Sequence, residues 1–133
     1  MEKLASQVAV RQRFLKSPIA FVANIPLTYF NAMGTTFYNG IGRAFQRQIN
    51  KTNSHQLIIA NTVSLHLTIE QRAERMTEQV RKAYINNGKQ RMHLVTHSFT
   101  GVDARAALSI FGMDEYVRSL TTLCSPHRGC ALI

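Results

Sequence analysis

Apolar residues follow two different periods along this chain. Short continuous runs occur at Pro18–Ile25 (closed by Pro26), Gln56–Ala60, Met92–Thr96 and Val117–Leu123. Runs of this length between turn residues predict buried strands. Between them the spacing becomes helical. Ile41, Phe45 and Ile49 recur every four residues within Tyr38–Ile49. Ile69, Ala73, Met76, Val80 and Ala83 fall on one face of a second helix. That helix opens on Thr68-Ile69-Glu70-Gln71, a capping box in which the Thr and Gln side chains satisfy each other's backbone N–H groups. Gly88 is its natural stop, because glycine enters the left-handed conformation at low cost. Val102–Phe111 predicts a third helix, ended by Gly112.

Strands alternating with helices of this length indicate βαβ units. The expected class is therefore α/β, with a mainly parallel sheet and helices on both faces set by right-handed crossovers. The 133 residues suffice for one domain. Residues 1–17 read as a basic N-terminal segment and 18–133 as the domain. The last predicted strand ends at Leu123, ten residues before Ile133, and no helix follows it. Its outer edge is expected to need a protein partner or a missing segment of the fold.

Charge narrows the partners. The formal net charge is +9, and no acidic residue lies between Lys3 and Ile69. Nucleic-acid binding is disfavoured, since no groove-reading motif and no interleaved basic and aromatic residues accompany the charge. Attraction to an anionic lipid surface, a mitochondrial import segment and a plain solvated basic face all fit it. No apolar run reaches the roughly 18 residues of a membrane span. With two cysteines and no secretory opening, an intracellular, reducing compartment is favoured. Cys124, His127 and Cys130 are spaced three apart, but no fourth zinc ligand is evident, so no metal or cofactor is expected. The ending Cys130-Ala131-Leu132-Ile133 matches a prenylation pattern, which is read here as accidental.

The segment with chemical content is His93-Leu94-Val95-Thr96-His97-Ser98-Phe99-Thr100-Gly101-Val102-Asp103-Ala104-Arg105. An apolar strand meets a serine and a helix follows, the setting of a nucleophile elbow. The usual spacing is Gly-x-Ser-x-Gly, whereas Thr96 and Thr100 occupy the flanking positions here. A serine after a strand is more often a helix N-cap, so capping is the competing expectation for Ser98.

Residues 94–108, with Val117-Arg-Ser-Leu-Thr-Thr-Leu-Cys-Ser-Pro-His-Arg-Gly129, resemble bacterial and fungal triacylglycerol lipases of the α/β-hydrolase superfamily. In that family the nucleophile strand reads much like Leu-Ile-Gly-His-Ser-x-Gly-Gly-Leu-Asp-Ala-Arg. A later strand reads Ser-Leu-Thr-Thr, a small residue, then Pro-His-Arg-Gly. Weaker similarity reaches back to about Pro18. The resemblance implies a partial α/β-hydrolase fold and ester or lipid substrates. It implies Ser98 as the acyl-enzyme nucleophile and the Phe99 N–H as one oxyanion donor. The second donor position falls on Ile25, after Ala23-Asn24 where the family has His-Gly. Asp103 and Arg105 match family positions and read as structural, with surface charge the simplest expectation.

The remaining triad members are not evident. The fold's order is serine, acid, histidine, each after a later strand. Downstream of Ser98 the acids are Asp103, Asp114 and Glu115, and the one histidine is His127, in a loop where the family's histidine is not the base. The expectation is a fragment of a lipase-like hydrolase, inactive alone. The alternative is a non-catalytic structural or interaction subunit that keeps the scaffold.

Overall fold

The computed structural model describes residues 17–23, 56–60 and 66–131. Strands β1 (Ile19–Ala23), β2 (Gln56–Ala60), β3 (Met92–His97) and β4 (Val117–Leu123) form one parallel sheet in the order β2-β1-β3-β4. Helix α1 (Ile69–Asn86) connects β2 to β3, and α2 (Phe99–Ile110) connects β3 to β4 through a 3₁₀ turn at Met113–Glu115. This is the α/β arrangement expected from the alternating periods. The predicted helix over 38–49, residues 1–16 and Ile25 lie outside the described residues.

Strand alternation divides the core. Ala20, Val22, Met92 and Leu94 face one way and pack with Ala73, Met76 and Val80 of α1 and Ala104 and Ala107 of α2. Met113 and Val117 close the same cluster. Ile19 and Phe21 form a second buried group against Val95, so β1 is buried on both faces. Each large apolar side chain removed from water contributes roughly 1.5–3 kcal/mol. Among the described residues both helices share the first cluster.

The helix ends follow local rules. Gln71 N–H donates to Thr68 Oγ1 (3.3 Å) and Thr68 N–H to Gln71 Oε1 (3.1 Å), completing the capping box. At the other end Gly88 takes φ +67°, and Lys89 N–H donates to Tyr84 O (2.9 Å). That bond returns across the last turn as a glycine-ended helix requires.

Of the strand predicted over Pro18–Ile25, Ile19–Ala23 is observed, and residues 24 and 25 lie outside the described residues. One boundary differs from expectation in a way that matters. The helix predicted to begin at Val102 begins at Phe99, because Ser98 alone makes the turn out of β3. Between β3 and β4 the register slips, with Met92 opposite Val117 and His93 opposite Ser119. Arg118 is thus the extra residue of a bulge, which strengthens the local twist. Among the described strands, β2 and β4 are the two outer ones.

Candidate active site at the β3–α2 turn

Ser98 stands between the last residue of β3, an interior strand, and the first residue of α2. Its backbone lies at φ 56°, ψ −134°. A side chain with a Cβ rarely occupies this region, and holding it there costs of order 1–3 kcal/mol. Although Ser98 has the N-cap position, its side chain makes no capping hydrogen bond. The capping expectation is therefore overturned. A capping serine takes an extended backbone that aims its oxygen back at the helix N–H groups, and this conformation does not. The side chain is half-buried.

Two backbone bonds fix the turn. Ser98 N–H donates to Leu123 O (2.9 Å), and Gly101 N–H donates to Ser98 O (3.1 Å). The first ties the elbow to the carboxyl end of β4. Phe99 opens α2, and the opening N–H groups of a helix have no intrahelical acceptor. They carry the positive end of the helix dipole, which favours negative charge beside Ser98.

The flanking threonines fit where glycine was expected. Thr96 and Thr100 are fully buried, at 0% and 1% exposure. Thr96 pairs with Val22 on one side and Thr122 on the other, and its Oγ1 reaches Thr121 O at a long 3.4 Å. Thr100 Oγ1 is buried without a hydrogen-bond partner among the described residues. The crowding that glycine relieves falls instead at Gly101. A Cβ there would strike Ser125 Oγ and lie 2.7 Å from Ser125 Cβ and 3.1 Å from Thr122 Cγ2. The turn leaving β4 therefore packs directly on the first turn of α2.

Asp103 departs from the expected surface charge. It is fully buried, on the side of α2 that meets α1. Arg72 Nε donates to both of its carboxylate oxygens (3.0 Å each), and Arg72 Nη2 lies 2.9 Å from Oδ1. Arg72 Nη1 also donates to Leu67 O (2.6 Å). Burial pushes the Asp103 pKa up, and the Arg72 bonds and charge oppose that without reversing it. Arg105 is exposed, as expected. Sequence reasoning missed Arg72. Its signal was a charge one position from Ala73 and four before Met76, inside the apolar stripe of α1.

No described histidine is hydrogen-bonded to Ser98. His127 is exposed, with Nε2 at 3.1 Å from Thr122 Oγ1, and His93 Nδ1 lies 2.7 Å from Ser119 Oγ. Asp114 and Glu115 are exposed on the 3₁₀ turn. Cys124 and Cys130 are free and exposed. No described cluster of three or more side chains suits a metal ion, and no described helix is long and apolar enough to cross a membrane.

An interior parallel strand, a strained serine and a helix starting at once define a partial α/β-hydrolase fold. Solved structures of the Bacillus licheniformis lipase BlEst2 share it. The mature form superimposes with a TM-score of 0.65 at 23% identity, over 87% of this chain and 43% of that one. The propeptide form gives 0.66 and 24%, over 88% and 24%. This chain thus spans less than half the length of either. No protein-family model and no curated protein matches it.

Proposed function

We propose that the chain carries the nucleophile half of a lipase-like carboxylic ester hydrolase, with Ser98 as the acyl-accepting residue. The observation that carries this reading is the backbone of Ser98, φ 56° and ψ −134°, at the end of an interior strand, with a hydroxyl that makes no capping hydrogen bond. Helices do not need such strain to begin, and a structural serine would use its oxygen as a cap. In the reaction Ser98 Oγ attacks the ester carbonyl carbon while a base takes its proton. The oxyanion gathers at the Phe99 N–H and the positive end of α2, and the alcohol leaves on re-formation of the carbonyl. Ile25 N–H is the second donor by family position. The base and its acid come from residues outside those described. Ester-bearing lipids are the proposed substrates, and the acid-free stretch from Leu4 to Thr68 suits an anionic lipid surface.

The 133-residue chain alone should show no p-nitrophenyl ester turnover above a Ser98→Ala control, because none of the described residues is placed as a base for Ser98. Nucleophilicity is tested separately, with a fluorophosphonate probe, peptide mapping and imidazole added as a diffusible base. Ser98 should label faster than exposed Ser109 and Ser119, and imidazole should accelerate it. Labelling of Ser98 no faster than those serines refutes the nucleophile. The non-catalytic reading is favoured by Thr96 and Thr100 at the two glycine positions of the elbow motif and by Ala23-Asn24 in place of His-Gly, and indifferent labelling would support it.

A further inference from the structure

The start of α2 lacks the devices that normally stabilise a helix N-terminus. Ser98 provides no side-chain cap, and the first turn contains no acidic residue. It begins, moreover, on a residue in a rarely populated conformation. Something outside the helix must hold this turn in place. On one side it is gripped by β4, through Leu123 O and Ser125. On the other side, the fifth residue after Ser98 is Asp103, held by Arg72 through a two-pronged guanidinium contact.

We infer that Arg72 is a positioning residue for Ser98: through Asp103 it clamps the first turns of α2 to α1 and keeps the elbow in its strained form. This inference rests on the reading of Ser98 as a nucleophile for its purpose, though not for its geometry. Three features support it beyond ordinary packing. Arg72 reaches both carboxylate oxygens through Nε and one of them also through Nη2, which fixes orientation as well as distance. Its remaining arm holds Leu67 O, so one side chain joins the loop before α1, α1 itself and α2. The pair is also a poor device for stability alone, since apolar residues of similar volume usually serve as well or better. A buried ion pair kept in a small core is better explained by the position it sets than by the energy it adds.

The test replaces the pair with apolar residues, Arg72→Met with Asp103→Leu, in the full chain. Amide hydrogen exchange is followed by residue. The reporters are Ser98 N–H and Gly101 N–H, bonded to Leu123 O and Ser98 O. The references are Met92 N–H and His93 N–H on the same strand, bonded to Tyr116 O and Pro18 O. Positioning predicts exchange about tenfold faster or more at Ser98 and Gly101, with Met92 and His93 within about twofold of the parent. A merely structural pair would shift all four amides by one common factor, and that result, or no shift, overturns the inference. Should the double variant fail to fold, Asp103→Asn keeps the shape and one acceptor. It should produce a smaller change confined to the same two amides, and a uniform change refutes the inference equally. None of these readouts depends on Ser98 reacting, so failure of the nucleophile reading leaves a separate signature in the labelling experiment.

Discussion

Replacing Gly101 by alanine sets two known effects against each other at one atom. Alanine is the better helix former, by about 0.8–1.0 kcal/mol in an open helical site. At Gly101, however, the new methyl would collide with Ser125 Oγ and sit 2.7 Å from Ser125 Cβ, with Thr122 Cγ2 at 3.1 Å. Rotating Ser125 removes only the first of these contacts, because its Cβ is fixed by the backbone. Overpacking of this kind typically costs about 1–3 kcal/mol. The clash should win, leaving a net loss of up to about 2 kcal/mol, or a Tm lower by up to several degrees in a domain of this size. The assay is thermal and urea unfolding of Gly101→Ala, alone and combined with Ser125→Gly. The second change deletes the obstructing Cβ and should restore much of the loss. A Tm raised by Gly101→Ala alone would refute the close approach between the β4 exit and α2. It would also remove one of the two grips proposed for the elbow.

Two further outcomes follow from charge and from the sheet edge. Because burial raises the Asp103 pKa above its ordinary 3.8, its contribution to stability is present below that value and is lost as pH rises through the folded-state value. Urea unfolding should therefore show the parent gaining on Asp103→Asn as pH falls from neutral to below the ordinary carboxylate range; the opposite trend would mean that Arg72 dominates. At the edge, the Ser98–Leu123 bond sets the alternation of β4, so the amides of Leu120 and Thr122 point away from β3. Among the described residues β4 is an outer strand, with Arg118 its one charge, and its Leu123 is 41% exposed. Sedimentation should show self-association that Thr121→Lys, a charge on the exposed edge, reduces. A monomer with one cooperative transition above about 50 °C would refute this.

Much of the scaffold was legible because it rests on local rules. The capping box at Thr68, the glycine stop at Gly88 and the strand Val117–Leu123 follow from residue type and short-range spacing. The start of α2 was not legible. The strand–serine–helix order pointed to an elbow with an unusual backbone at Ser98, but the elbow overrides the propensities of Phe99 and Thr100, so the helix begins earlier than its apolar spacing suggests. The need for glycine at Gly101 appears only when Ser125, 24 positions later, is brought against it. Asp103 misled for a related reason. A lone acid on a short amphipathic helix reads as surface charge until a partner is found, and that partner lies 31 positions upstream.

These misses share a cause, and it bears on function. Local rules describe elements at their own energy minima, whereas the β3–α2 turn is held away from its minimum by distant groups. Strain of about 1–3 kcal/mol at Ser98 is a sizeable share of a domain stability of roughly 5–15 kcal/mol. It persists only if the surroundings over-determine the turn, and here contacts arrive from both sides, from Leu123 and Ser125 of the β4 exit and from Arg72 of α1. The burial cost at Asp103 adds a second local expense at the same place. A capping serine and an apolar pair in place of Arg72 and Asp103 would remove both costs. Under the proposed reading, the two features five residues apart serve one purpose, the geometry of Ser98.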